Sequence, residues 1–199
     1  MFILYQKTDV LSRENRKSMS SGIIVCGLNG VGKSTLGKAL SQRLGCHFID
    51  IEDLYFPKTD SGYMYAAARS RDEVEELLMT EISANKNFVF AAIKCGYEKA
   101  IPFFKYAVLI EAPRELRLRR VKERSFRKFG ERMLPGGDLY EREQAFFDLI
   151  SSRAENTVKE WLKSFGGQVI CIDGTKPINE NINLITEILT GKGFIYHEI

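Results

Sequence analysis

The sequence lacks the residues that would build a structural metal site or a membrane span. Its four cysteines lie far apart without a C-x-x-C pair, and with only two histidines they offer no zinc-binding pattern. Most of the cysteines stand in or beside apolar runs, as buried thiols do, which favours a reducing, cytoplasmic setting. No apolar run approaches the ~18 residues of a membrane helix, so we expect no membrane partner.

A strong excess of one charge is also missing. The 29 Lys and Arg residues stand against 26 Asp and Glu residues, and a net charge of +3 does not by itself indicate a nucleic-acid partner. The length of 199 residues and the hydrophobic content of 44% instead predict one globular domain. We interpret residues 1–21 as an N-terminal extension, because polar, mixed-charge sequence precedes the first convincing strand, and residues 22–199 as the domain.

Short apolar runs alternate with helical patterns along this domain. The runs predict five strands, over residues 23–26, 47–51, 88–93, 106–110 and 169–172. Capping signals and helical spacing predict helices over 34–44, from a capping box at Ser70, from Pro113, from about Leu139 to Ser164, and over 178–189. This order predicts an α/β fold of three layers, a five-stranded parallel sheet flanked by helices, with the ligand at the carboxyl ends of the strands.

The most specific motif follows the first strand. Residues 27–34 match the P-loop pattern G-x-x-x-x-G-K-[ST], in which Gly27 and Gly32 let backbone N–H groups turn toward phosphate oxygens. Lys33 would reach the β and γ phosphates of ATP, and Ser34 would supply a hydroxyl to Mg²⁺. The motif therefore predicts a site for ATP, or a close relative, and Mg²⁺.

The other residues of the motif are less constrained by the pattern. Asn29, Gly30 and Val31 fall on its free positions, so we expect them to line the nucleotide site yet tolerate substitution. Thr35 follows Ser34 as a neighbouring phosphate contact.

Two classes of P-loop protein lack their markers here. The guanine-reading string N-K-x-D of GTPases is absent, and the nearest string, NKNF at residues 85–88, has no Asp. A typical AAA+ ATPase carries acids at the end of its third strand, where this chain has AAIK at residues 91–94. Both classes are disfavoured.

Acids and arginines lie elsewhere. Asp50, Glu52 and Asp53 follow the second strand, and residues 113–132 hold seven of the fourteen arginines. With the P-loop, these features resemble the nucleoside monophosphate kinase and shikimate kinase group of P-loop kinases, which are adenylate-kinase-like. The resemblance implies that Asp50 supports Mg²⁺ beside Ser34, and that Glu52 or Asp53 orients or deprotonates the acceptor. Strand alternation favours Glu52 if the strand persists that far.

The same resemblance implies roles for the basic residues. A short mobile lid at about residues 120–140 would bring Arg120, Arg124 and Arg127 over the transferring phosphoryl group, with Arg153 reaching in from the far side. An insert at about residues 54–71 would bind the acceptor. The remaining expected contacts are Arg69, preferred over Arg71, and Lys94 for the acceptor, and Lys176 and Pro177 along the adenine ring.

The function implied is an ATP-dependent phosphotransferase that acts on a small anionic molecule, a nucleotide or nucleoside monophosphate first of all. An unphosphorylated metabolite such as a sugar acid is an alternative, although the glycine triplet of shikimate kinases is missing after the third strand. A slowly hydrolysing NTP-binding regulatory module is a second alternative. Nucleic-acid binding by the arginine-rich segment is the least favoured, and we expect a monomer or homodimer.

Overall fold

The computed structural model of the chain describes residues 21–57, 63, 65 and 67–191. Apart from Ser21, the predicted N-terminal extension lies outside the described residues, as does part of the predicted acceptor insert. No helix among the described residues is long and apolar enough to span a membrane.

Five parallel strands form a single sheet, and the predicted α/β fold is confirmed. The strands are β1 (Ser21–Cys26), β2 (His47–Asp50), β3 (Asn87–Ala91), β4 (Phe104–Glu111) and β5 (Gln168–Asp173). Their order across the sheet is β2-β3-β1-β4-β5, so the connections that leave the neighbouring strands β1 and β3 run in opposite directions, one toward β2 and the other toward β4, and the P-loop directly follows β1. A ligand site belongs at the carboxyl ends of the strands at such a reversal.

Helices cover both faces of the sheet. They are α1 (Lys33–Leu44), α2 (Ile51–Tyr55), α3 (Arg71–Ala84), α4 (Arg114–Phe129), α5 (Tyr140–Ser152), α6 (Thr157–Leu162) and α7 (Ile178–Gly191). Leu40 of α1 and Ile185 of α7 pack with one face of β1, whereas Leu78 of α3 and Val158 of α6 pack with the other. The predicted three layers result, because strands buried on both faces need an apolar cover on each.

The predicted capping box at Ser70 is present and starts α3. The Ser70 hydroxyl accepts from the backbone N–H of Glu73, while the Glu73 carboxylate accepts from the backbone N–H of Ser70. Because the backbone N–H groups of Ser70 and Glu73 are both hydrogen-bonded, the start of α3 is well defined.

The second strand is shorter than predicted. It ends at Asp50, whose carboxylate accepts a hydrogen bond from the backbone N–H of Glu52 (3.0 Å) and thereby caps α2. Glu52 is therefore a helical residue, and the alternation that favoured it does not apply.

The single long helix predicted from Leu139 to Ser164 is wrong. It is two helices, α5 and α6, separated at Arg153, whose backbone is extended (φ −67°, ψ 128°). The break is stabilised from α4: Arg114 donates to the Ser151 carbonyl (2.6 Å), and the buried Arg117 guanidinium pairs with Glu155 (2.5 Å). Apolar spacing could not reveal this break, because α5 and α6 each keep a helical pattern.

The region predicted as a lid is ordered in this structure. After α4, a 3₁₀ helix (Gly130–Met133) leads into the turn before α5. Val121 and Met133 pack with Phe147 and Ile150 of α5 in a small apolar cluster. The mobility of this region stays a prediction.

Candidate active site

Three glycines of the P-loop adopt backbone conformations that favour glycine. Gly27, Gly30 and Gly32 all have positive φ (147°, 82° and 102°), which residues with a Cβ atom rarely adopt. Gly32 is the N-cap of α1, so the free N–H groups and positive end of that helix face the loop.

The middle of the loop packs tightly, and the expected tolerance of its free positions is wrong for Gly30. A Cβ atom at Gly30 would lie 2.2 Å from the carbonyl oxygen of Arg117, whereas one at Gly32 would have no heavy atom within 4 Å. Asn29 accepts a hydrogen bond from Arg153 (2.7 Å), and the Val31 side chain is buried. The motif does not indicate these contacts, because α4 and the α5–α6 break provide them.

Lys33 is held inside the loop. Its ammonium group donates to the carbonyl oxygen of Leu28 (3.1 Å). Burial lowers the pKa of Lys33 to about 8; Glu52 and Asp50 oppose this shift, and Arg124 adds to it. The lysine thus lies among the acids and arginine that the sequence analysis grouped with it.

A cavity of about 650 Å³ opens over the P-loop, and we call it the P-loop cavity. Its lining includes most of the predicted nucleotide and lid residues: Asn29, Gly30, Val31, Gly32, Lys33, Ser34, Thr35, Glu52, Arg120, Arg124, Arg127 and Lys176. Arg120 donates to the Gly174 carbonyl (3.1 Å), which ties the start of the predicted lid to the loop after β5. Gly27 and Pro177 lie outside the lining, and Gly27 instead packs against the carbonyl of Ile110.

Part of this lining was not predicted from the sequence. Ile110, Ile172 and Ile178 form an apolar wall at the ends of β4 and β5 and at the start of α7, a suitable surface for a flat base. Each of the three lies at or near the end of a strand or the start of a helix. Their position near the predicted turn after β5 could have indicated that they line the site.

A second cavity of about 420 Å³ lies beside the first, and we call it the aromatic cavity. Its volume falls in the range of roughly 300–1,000 Å³ usual for small-molecule sites. Aromatic walls come from the β2–α3 segment, the β3–β4 segment and α5: Tyr55, Phe56, Tyr63, Tyr65, Tyr97 and Phe146. Tyr63 and Tyr65 sit edge to face at 5.6 Å.

Charged groups converge on the aromatic cavity. Asp50 and Glu52 come from the end of β2 and from α2, Lys94 follows β3, and Arg124 and Arg153 come from α4 and the α5–α6 break. The structure thus brings these five predicted residues together. Asp53 instead faces a shallower pocket with Ser34, Thr35 and Asp50.

Arg71, rather than Arg69, lines the aromatic cavity. The Arg69 guanidinium donates to the carbonyl oxygen of Leu54 (2.7 Å) and so holds the end of α2. Arg71 donates to the Gly96 carbonyl and lies over the Tyr97 ring, 5.5 Å from its centroid. Arg71 is the first residue of the helix that the capping box starts. This position was the reason to prefer Arg69, and it gave no indication that Arg71 contacts Gly96.

The two cavities share one wall. Five residues line both: Asn29, Lys33, Ser34, Glu52 and Arg124. Arg124 and Glu52 face each other across this wall, with 3.8 Å between guanidinium nitrogen and carboxylate oxygen. A phosphate on the P-loop and a molecule in the aromatic cavity would meet there.

A family model described as an AAA domain matches residues 23–132, from β1 through the P-loop to the end of α4 and the 3₁₀ helix. The chain belongs to this family. The match does not by itself indicate an AAA+ ATPase. Such an ATPase typically carries acids at the end of β3, and residues 91–94 of this chain include none. Membership of the AAA-domain family therefore establishes a P-loop domain but not the reaction.

Individual proteins resemble the chain over most of its length. YqaC of Bacillus subtilis (strain 168), an uncharacterised protein, is 26% identical over 181 residues, which are 86% of this chain and 99% of that one. A gluconokinase structure from Sinorhizobium meliloti 1021 covers 88% of this AAA-domain chain and 99% of its own, with TM-score 0.53 and 13% identity. A Chloroflexus aurantiacus J-10-fl structure, provisionally assigned as a kinase, covers 88% and 98%, with TM-score 0.51 and 16% identity. The expected resemblance to P-loop small-molecule kinases is confirmed at the level of the fold.

Proposed function

We propose that this protein is an ATP-dependent phosphotransferase whose acceptor is a small anionic molecule bound in the aromatic cavity, a nucleotide or nucleoside monophosphate first of all. The observation that carries the proposal is the shared wall. Lys33 and Ser34 belong to the P-loop, and they also line a second cavity of small-molecule size. A domain that only hydrolyses ATP needs no such second cavity.

The residues of the wall suit phosphoryl transfer, in which the protein mainly positions the reactants and neutralises charge. Lys33 would bind the β and γ phosphates, and Arg124 would reach the transferring group from the α4 side. Glu52 would orient the acceptor and take its proton. Glu52 and Arg124 already form an ion pair. If the two side chains closed around the acceptor, they would also exclude water from it.

Ser34 and Asp50 fit a magnesium ion. A hydroxyl and a carboxylate are both part of the lining of the aromatic cavity, and Mg²⁺ is commonly held by one or two such oxygens together with substrate phosphates. Among the described residues, no cluster of three or more His, Cys, Asp or Glu offers an all-protein metal site. Bound Mg²⁺ would neutralise charge on the phosphate oxygens of ATP.

Cations in the aromatic cavity support an anionic acceptor. Arg71, Lys94 and Arg153 line it in addition to Arg124. Arg153 donates to Asn29 at the P-loop, so it would contact a group close to the donor phosphates. Arg71, beside Gly96 and Tyr97, would contact a group farther along the wall.

The test is acceptor-dependent ADP formation. Purified protein with MgATP is assayed against the four common nucleoside monophosphates, gluconate and shikimate, and we expect one class to raise turnover by at least tenfold. Lys33→Ala should abolish transfer while leaving the circular dichroism spectrum unchanged. Arg43→Ala, which removes an exposed basic side chain at the far end of α1, is the matched control. Transfer retained by Lys33→Ala, or ATP binding by the wild type with no acceptor-dependent turnover, would refute the proposal.

A further inference from the structure

Glu143 is an acid in a position that calls for an apolar residue. It lies on α5 at spacings of four and seven before Phe147 and Ile150, which are both buried, and its own side chain is only 1% exposed. An apolar side chain at 143 would complete the buried stripe of this helix. A carboxylate there requires a reason other than packing.

The hydrogen bonding of Glu143 is incomplete. One carboxylate oxygen, Oε1, accepts from the Tyr63 hydroxyl at 3.2 Å. The other, Oε2, has no hydrogen-bond partner among the described residues and is the single buried side-chain oxygen or nitrogen there of which this is true. Buried polar groups are almost always paired, because leaving one unpaired in an apolar setting is unfavourable.

The residue that carries the unpaired oxygen lines the aromatic cavity. Glu143 lines that cavity with Tyr63 and Phe146, and it does not line the P-loop cavity. It is therefore not one of the residues of the shared wall, where the phosphoryl group would be transferred. Burial and Glu143 together raise the pKa of Tyr63 to about 12, so the phenol keeps the proton that it donates.

We propose that Glu143, supported by Tyr63, selects the acceptor: Oε2 accepts a hydrogen bond from an N–H or O–H group on the part of the acceptor remote from the transferring phosphoryl group. This inference rests on the proposed function. The arginines and Lys94 would hold the anionic end, the aromatic rings would cover a flat face, and the carboxylate would read a donor at the other end. A nucleobase N–H and a sugar-acid hydroxyl share this chemistry.

Selection by Glu143 predicts a specific kinetic change. Glu143→Gln keeps the shape of the side chain but replaces a charged acceptor with an amide, and we expect the KM of the acceptor to rise about 10- to 100-fold. The KM of ATP should stay within twofold, since Glu143 does not line the P-loop cavity. Glu141→Gln, an exposed acid two residues earlier on the same helix, is the matched control and should change neither constant.

Binding and stability measurements separate selection from a structural role. Calorimetric titration with the six acceptors and ribose 5-phosphate, in the presence of a non-hydrolysable ATP analogue, reports on acceptor binding without turnover. If the base supplies the donor, Glu143→Gln weakens a nucleoside monophosphate and leaves ribose 5-phosphate unchanged; if a sugar hydroxyl does, it weakens gluconate. Glu143→Met should leave the Tm of the ligand-free protein close to that of the wild type, because the removal of an unpaired buried oxygen offsets the loss of the hydrogen bond from Tyr63.

The outcomes separate the two proposals. An acceptor that binds, loses affinity in Glu143→Gln and is never phosphorylated would refute the phosphotransferase and keep the role of Glu143. Transfer with an unchanged acceptor KM in Glu143→Gln would refute the role of Glu143 and keep the phosphotransferase. A fall of several degrees in Tm for both Glu143 variants, or binding of none of the seven compounds by the wild type, would also refute selection by Glu143.

Discussion

At the scale of the residue, the burial of Lys33 makes stability depend on pH. Its pKa is about 8 in the folded chain, against 10.5 for an ordinary lysine, because burial disfavours its charged form. Below pH 8 the amine is charged in both states, and folding is weakened by the burial of that charge. Between pH 8 and 10.5 the unfolded chain binds more protons than the folded one, so the contribution of Lys33 to stability improves as pH rises.

Lys33→Met should therefore be more stable than the wild type at pH 7, by up to about 3 kcal/mol, and the difference should shrink toward pH 10. Urea unfolding of both proteins at pH 7, 9 and 10 measures it. Lys38→Met removes an exposed lysine from the same helix and should give a difference that does not change with pH. A difference for Lys33→Met that is constant or grows with pH would contradict the assignment.

At the scale of the element, the P-loop and α4 are packed as one unit. The backbone at Gly30 leaves no space for a Cβ atom beside the Arg117 carbonyl, and Arg117 also donates to the Ala112 carbonyl (3.1 Å) and pairs with Glu155. The P-loop is thereby fixed to the helix that carries Arg120 and Arg124. This packing holds both arginines in place relative to the P-loop.

This packing predicts unequal effects for two similar glycines. Gly30→Ala and Gly32→Ala both place a side chain at positive φ, which costs about 1–2 kcal/mol, but only the first also meets the backbone of α4. Gly30→Ala should lose about 1–3 kcal/mol more stability than Gly32→Ala. Urea unfolding of the two variants measures the comparison; equal losses would mean that the contact with Arg117 is not tight in solution.

The elements also show how far sequence reasoning reached. The P-loop, the five strands and the Ser70 capping box could be predicted because each has a local pattern. The break at Arg153 could not, because Arg114 and Arg117 stabilise it from another helix, and no pattern within α5 or α6 records them. Arg71 was placed second to Arg69 because it stands at a helix start, and Glu143 was missed because it lies within an apolar stripe.

At the scale of the whole molecule, the two cavities form one site because β1 and β3 are neighbours in the sheet. The P-loop and Lys94 follow their carboxyl ends, and Arg124 of α4 lines the wall that the two cavities share. Residues predicted from three distant segments meet there. The sequence grouped them by type, and the strand order brings them into contact.

A shared wall predicts that ligands in the two cavities influence each other. Ordering Arg124 and Glu52 for one ligand leaves less to order for the second, so a non-hydrolysable ATP analogue should tighten acceptor binding, and the acceptor should tighten analogue binding by the same factor. Couplings of this kind are typically about 5- to 150-fold.

Arg124→Ala should reduce the coupling factor toward one. Arg127→Ala is the matched control, because Arg127 lines the P-loop cavity but not the aromatic cavity. Calorimetric titration of each ligand with and without the other gives the factor for each protein. Equal coupling in the two arginine variants would mean that the cavities communicate by another route than the Arg124–Glu52 pair.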